Sequence, residues 1–192
     1  MSAAPSQKTP APPSRYCDDP FNREVLRGIE LMSPRPALPD AYCATQLMAQ
    51  VGTAFGRRRG PSVGEDGWFI LVEPELHLED EDPIIPDIAG WRKQRLPAIP
   101  RAAFLRLPPD WACEIISPSN EKTDRTLKMA IYADAGVGHL WLVDPLKRRL
   151  EVYTLGAGGY GPALFHQGDQ VVSVAPFEAL ALELGELWLP AG

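Results

Sequence analysis

The segment Trp111-Ala112-Cys113-Glu114-Ile115-Ile116-Ser117 constrains this chain more than any other. It is short, apolar and closed by Ser117-Pro118-Ser119-Asn120, so it predicts a strand, and runs of this kind lie centrally in sheets. Alternate residues of a strand share a face, which sets Glu114 beside Ala112 and Ile116. A carboxylate buried there needs an opposite charge, a metal or a raised pKa. A structural ion pair with an arginine is the plain alternative.

Two neighbouring segments supply what Glu114 lacks. Ile84 to Ala89 reads as a strand on which Asp87 shares a face with Ile85 and Ala89. It forms a hairpin with Trp68 to Leu78 across the acidic tip Glu79-Asp80-Glu81-Asp82-Pro83. After Asn120 a helix is expected, capped by Thr123 or Asp124, running to about Ala135 and stopped at Gly136. Asp124, Lys128 and Tyr132 fall at i, i+4 and i+8 on one stripe, beside an apolar face of Leu127, Ala130 and Ile131. A surface Asp–Lys pair on a helix is worth only about 0.2–0.5 kcal/mol, so this stripe gains meaning only together with Glu114.

The remaining elements fit one domain. Residues 1–20 read as a flexible Pro-rich tail and 21–192 as a single domain. Glu24 to Met32 is a short strand candidate before the turn Ser33-Pro34-Arg35-Pro36, and Ala41 to Phe55 is helical, with Leu47, Val51 and Phe55 at helical spacing. His139 to Val143 and Arg149 to Leu155 are strands, and a further strand pair is expected around Tyr160 to Val174. Phe177 to Leu189 leaves helix and strand both open. The fold class is α/β, a mixed α+β sheet with few helices and C-terminal β-hairpins.

Three cysteines at wide spacing and three scattered histidines argue against a zinc site and a disulfide framework. With no apolar segment in the first residues and no span long enough for a bilayer, the reading is a cytoplasmic protein with no membrane partner. The net charge of −6 excludes a broadly basic nucleic-acid binder, so any phosphate-binding surface is local. Arg92, Lys93, Arg95, Arg101 and Arg106, interleaved with Trp91 and Phe104, form the one extended basic stretch. It either tracks a phosphate backbone or is a solvated loop. Arg57-Arg58-Arg59 and Lys147-Arg148-Arg149 read as solvated turns.

Asp87 and Glu114 are hard oxygen ligands of the kind that hold Mg²⁺ or Mn²⁺. A metal so held activates water, and a lysine beside it neutralises charge on a phosphate under attack. Pro86-Asp87, Glu114-Ile115-Ile116-Ser117-Pro118-Ser119, Asp124, Lys128, Tyr132, Gly136 and Leu140-Trp141-Leu142-Val143-Asp144-Pro145 resemble the Uma-two family of endonucleases, in the PD-(D/E)XK nuclease superfamily. The resemblance covers roughly residues 24 to 190 and includes Glu24, Gly28 and Met32-Ser33-Pro34. It implies a restriction-endonuclease-like core and a Mg²⁺-dependent endonuclease acting on DNA, with homodimers common in the class. It also implies Asp87, Glu114 and Lys128 as the catalytic set, the backbone carbonyl of Ile115 as a further metal ligand, and Glu24, Asp124 and Tyr132 as accessory residues.

The chain departs from the superfamily twice. The lysine usually two residues after the second carboxylate is Ile116 here, its role passing to Lys128 on the following helix. Relatives often carry a histidine near position 40, where this chain has Asp40. The competing reading is a catalytically weak or inactive binding or assembly module on the same fold. Other metal hydrolases and a serine nucleophile fit less well, for want of a His-rich cluster and of a Gly-x-Ser-x-Gly turn.

Overall fold

A computed structural model describes residues 21–56, 67–78 and 83–190. The expected tail, the Arg57-Arg58-Arg59 turn and the acidic hairpin tip therefore lie outside the described residues.

The chain opens with a hairpin, β1 (Phe21–Leu26) and β2 (Ile29–Pro34). The single strand expected over Glu24 to Met32 is thus two. Arg27 and Gly28 both take positive φ, 52° and 74°, the conformation of a two-residue type I′ turn, which glycine reaches without strain. Helix α1 (Leu38–Phe55) follows, starting three residues before its expected boundary at Ala41. Asp40 Oδ2 accepts a 3.2 Å hydrogen bond from the Ala37 N–H at its start. Cys43, Leu47 and Val51 line its buried face, with Ala44, Met48 and Phe55 alongside.

The hairpin expected between Trp68 and Ala89 exists, but in two separate ladders. β3 (Trp68–Val72) pairs with β6 (Ile88–Arg92), and β4 (Leu76–His77) pairs with β5 (Pro83–Ile84). Pro74 and Pro86 have no N–H to donate and Glu73 sits at φ 46°, so the ladder breaks at both sides. Asp87 therefore stands at a bend just before β6 rather than within a strand.

β7 (Trp111–Ile115) pairs antiparallel with β6 and parallel with β8 (His139–Asp144). Between β7 and β8 runs one continuous helical segment: α2 (Glu121–Thr123), a π-turn over Asp124–Lys128, then α3 (Met129–Asp134). The helix begins before Thr123, so neither Thr123 nor Asp124 caps it. Gly136, at φ 79°, ends it as expected, where the Val137 N–H bonds back to the Tyr132 carbonyl at 2.9 Å.

β9 (Arg149–Gly156) pairs with β8, and both β10 (Gly159–Tyr160) and β11 (Leu164–Gln167) pair back onto β9. The strand pair expected between Tyr160 and Val174 does not form within itself. β12 (Val171–Val172) instead pairs with β13 (Leu182–Glu183), and a 3-10 turn at Leu184–Leu187 follows.

The main sheet separates two apolar layers. On one face, α1 and the C-terminal segment pack against Trp68, Trp111 and Trp141, with Phe177 touching all three rings at 4.9–5.6 Å. On the other, β1, the β4–β5 ladder and α3 cover Ala112, Ile116, Leu140 and Leu142. Alternation along β7 assigns Trp111, Cys113 and Ile115 to the first layer and Ala112 and Ile116 to the second. Glu114 belongs to the second, as its spacing predicts. Cys43 and Cys113 are free thiols buried in the first layer.

Candidate active site

Glu114 is 1% exposed, in the central parallel pair of the sheet. Nothing on its own strand can neutralise it, so its partners come from the helix above. Oε2 accepts a hydrogen bond from Lys128 Nζ at 3.2 Å, and Oε1 accepts one from the Tyr132 hydroxyl at 2.5 Å. The predicted stripe is therefore real. Within it the π-turn, which adds a residue to a helical turn and often marks functional sites, carries Asp124 and Lys128. Both are buried, at 0% and 5% exposure.

Two further carboxylates join from other elements. Asp87 accepts the Ile115 N–H at 2.6 Å, which ties the bend before β6 to the end of β7. Glu24, on β1, accepts the Ile85 N–H at 2.8 Å and pairs with Lys128 Nζ at 3.2 Å. Lys128 also lies 3.7 Å from Asp124 Oδ1 and donates to the Ile85 carbonyl at 3.2 Å. One ammonium thus serves a cluster of four carboxylates drawn from β1, the bend, β7 and the π-turn.

The imbalance governs the protonation of the cluster. Burial pushes Glu114 well above the usual carboxylate range, and Lys128 offsets this only in part. Burial likewise raises Asp87 to about 6 and Asp124 to about 7, again against the pull of Lys128. Burial alone would depress Lys128, but Glu114, Glu24, Asp124 and Asp87 outweigh it and hold the ammonium well above its ordinary range.

The donor set suits a hard divalent cation. Both carboxylate oxygens of Asp124 are buried without a hydrogen-bond partner, and the cluster carries more carboxylates than its lysine can neutralise. Among the described residues no three His, Cys, Asp or Glu side chains converge as a ready-made cage. The Ile115 carbonyl accepts a long 3.3 Å bond from Asn120 Nδ2.

A cleft of about 410 Å³ opens beside the cluster, lined by buried Glu24, Asp124 and Lys128 and by Ile115, with Asp87 and Glu114 behind that lining and exposed Arg35, Pro36 and Leu146 around it. Asp40 lines it too, as a helix-capping carboxylate whose pKa burial raises. Ile116, two residues after Glu114, is buried in the apolar layer.

The basic stretch does not gather at this site. Arg92 packs on the Trp68 ring and Lys93 on the Phe69 ring, while Arg95 pairs with Asp110 at 2.9 Å. They begin at the far end of β6 from Asp87, roughly 16 Å away at strand rise. Arg106 packs over Phe104, and Arg101 is exposed. Two features of the site escaped sequence reasoning: Arg35 on the cleft and the Ile85 backbone, which binds both Glu24 and Lys128. Pro34 and Pro36 around Arg35 signalled only a turn.

Comparison with known proteins bears on this arrangement. Residues 17–185 match the Uma2 family, described as "Putative restriction endonuclease". The fold is similar to the crystal structure of "a putative nuclease belonging to DUF820" from Anabaena variabilis, with a TM-score of 0.70 and 20% identity, over 86% of this chain and 89% of that one. No curated protein matches the chain. Among the described residues no helix is long and apolar enough to cross a membrane.

Proposed function

The chain belongs to the Uma2 family, and from that premise we propose that it is a Mg²⁺- or Mn²⁺-dependent endonuclease hydrolysing DNA phosphodiester bonds. The observation that carries this reading is the 3.2 Å contact between Lys128 Nζ and Glu114 Oε2. It puts a lysine from the helix beside the second carboxylate, where Ile116 on the strand supplies none.

In this reading Asp87, Glu114 and the Ile115 carbonyl hold the metal. When bound, it acts as a Lewis acid and acidifies a water ligand. Lys128 orients the attacking water and neutralises charge growing on the phosphate. Glu24 and Asp124 hold Lys128 in place. Tyr132 keeps Glu114 aimed and favours its ionised form, as a donor to a carboxylate does. Burial of the cluster strengthens each of these interactions relative to water.

The test pairs metal binding with cleavage. Calorimetric titration with Mn²⁺ should give binding to wild type that is lost in Glu114→Ala and Asp87→Ala, both still folded by circular dichroism. Mg²⁺-dependent cleavage of a panel of DNA substrates should vanish in the same variants. Unchanged cleavage in both would overturn the catalytic assignment. An absence of both metal binding and cleavage in folded wild type would instead favour a binding module on the nuclease fold.

A further inference from the structure

The cleft beside the cluster also limits what can enter it, and this inference rests on the nuclease reading above for its biological sense. Its volume, about 410 Å³, lies near the lower end of ligand pockets, which run roughly 300–1,000 Å³. The charged groups in its lining are recessed: Asp124 and Lys128 are almost fully buried, while Arg35, Pro36, Pro118 and Leu146 are exposed. A scissile phosphate must therefore pass below a rim to meet them.

Duplex binding rests on many Lys and Arg contacts along the phosphate backbone. Here, among the described residues that line the cleft, only Lys128 and Arg35 are basic. Lys128 is committed to Glu24, Glu114 and Asp124. Lys147, next to the lining residue Leu146, is committed to Glu121 and Asp144 at 2.9 and 3.1 Å. Arg35 pairs with no carboxylate among the described residues. Its neighbours Pro34 and Pro36 fix their own φ, which holds the backbone that carries it in an extended course. The surrounding wall is not aromatic: Pro34, Pro36, Pro39, Pro118 and Leu146 alternate with the polar Ser117, Ser119, Asn120 and Thr123. Such a wall can pack a sugar face and offer hydrogen bonds to it.

We propose that the cleft takes one nucleotide unit of a single-stranded DNA segment, with Arg35 at the rim holding a phosphate of the entering strand. A continuous duplex presents its phosphates on a broad convex surface, and among the described residues that line the cleft Arg35 is the one exposed cation it would meet.

The test reads binding, so it does not depend on cleavage. A fluorescein-labelled ten-nucleotide single strand and the same sequence as a blunt duplex are titrated, by anisotropy in Ca²⁺, with wild type, Arg35→Ala and Arg35→Lys. The single strand should bind more tightly than the duplex. Arg35→Ala should weaken it about tenfold, the scale of one charge-assisted phosphate contact, and Arg35→Lys should weaken it less. Arg35 is exposed, so both variants should melt as wild type does. Tighter duplex binding, equal affinity in Arg35→Ala, or no binding of either probe would overturn the proposal. Arg35-dependent single-strand binding without any Mg²⁺-dependent cleavage would sink the nuclease reading and leave the strand-binding cleft standing.

Discussion

Glu114 and Glu151 lie in one row of the sheet, both paired in register with Leu142, and both under the same helical segment. Their exposures are 1% and 2%. Their electrostatics are opposite. Glu151 receives a two-pronged contact from Arg125 at 2.7 and 2.8 Å, a second arginine, Arg149, at 2.7 Å, and the Tyr153 hydroxyl at 2.8 Å. Burial works against its charge, but the bonds from Arg125 and Tyr153 outweigh it and hold the carboxyl below its usual range. Glu114 shares one lysine with three other carboxylates and is driven the other way. A fold that needs a buried glutamate only as a fastener surrounds it with cations, as at Glu151. The shortage at Glu114 supports the proposed cation site.

The largest separation of the two comes from neutralising each. Glu114→Gln should lower Mg²⁺-dependent cleavage by about a thousandfold or more, roughly 4 kcal/mol of barrier, while the folded state keeps or gains stability because a group whose ionisation burial already disfavours becomes permanently neutral. Glu151→Gln should do the reverse. Arg125 and Arg149 lose their partner, stability falls by about 3 kcal/mol, and cleavage below the melting transition stays within a few-fold of wild type. Urea unfolding and initial cleavage rates on both variants decide it. A stability loss at Glu114 equal to that at Glu151, with cleavage retained, would make both of them fasteners.

Why one glutamate was legible in the sequence and the other was not follows from this contrast. Glu114 interrupts an apolar run, and its possible partners Lys128 and Tyr132 recur at helical spacing, so local pattern alone joins them. Glu151 sits in a mixed segment, Arg149 to Leu155, that reads as an ordinary half-exposed strand. Its main partner, Arg125, is fixed by the register of β8 against β9, which local pattern does not encode. Asp124 was legible in part: its spacing set it on the Lys128 stripe, while its place near the helix start also read as a cap. An aspartate at the start of a helix normally reads as a cap. Here the helix begins earlier and a π-turn brings the carboxylate to the lysine. The fold class was legible from the order of helices and strands, and the layer assignment of β7 from alternation. The cleft was not, because it arises where the segment after β2, the start of α1 and the turn after β7 meet.

A middle-sized effect tests the charge imbalance by pH. Asp124, raised to about 7 from its ordinary 3.8, holds more protons folded than unfolded between those values. Stability therefore falls as pH rises through that window, and the penalty is fully present above it. Asp87, raised to about 6, adds to the same slope over its lower part. Glu151 contributes with the opposite sign, since its stabilisation is present above the ordinary glutamate value and is lost only as pH falls through its lowered one. In EDTA, wild type should therefore lose stability between about pH 4 and pH 7, and Asp124→Asn should lose on the order of 2 kcal/mol less across that range. Urea unfolding at a series of pH values reads this directly, and equal slopes in the two proteins would place the imbalance elsewhere.

The smallest effect is the sharpest control, because each glutamate has its own tyrosine. Tyr132 donates to Glu114 and Tyr153 to Glu151. Removing the Tyr153 hydroxyl leaves Glu151 with two arginines, so Tyr153→Phe should change stability by about 0.5 kcal/mol or less and leave the pH dependence of cleavage where it was. Removing the Tyr132 hydroxyl leaves one oxygen of a fully buried carboxylate without its donor. That costs on the order of 1 kcal/mol and makes ionisation of Glu114 harder still. If cleavage needs Glu114 ionised, the acid limb of its pH–rate profile must then move to higher pH in Tyr132→Phe and stay fixed in Tyr153→Phe. A loss of stability in Tyr132→Phe with no movement of that limb would reduce Tyr132 to packing. The limb is the deciding readout, because a hydroxyl that merely fills space cannot move it.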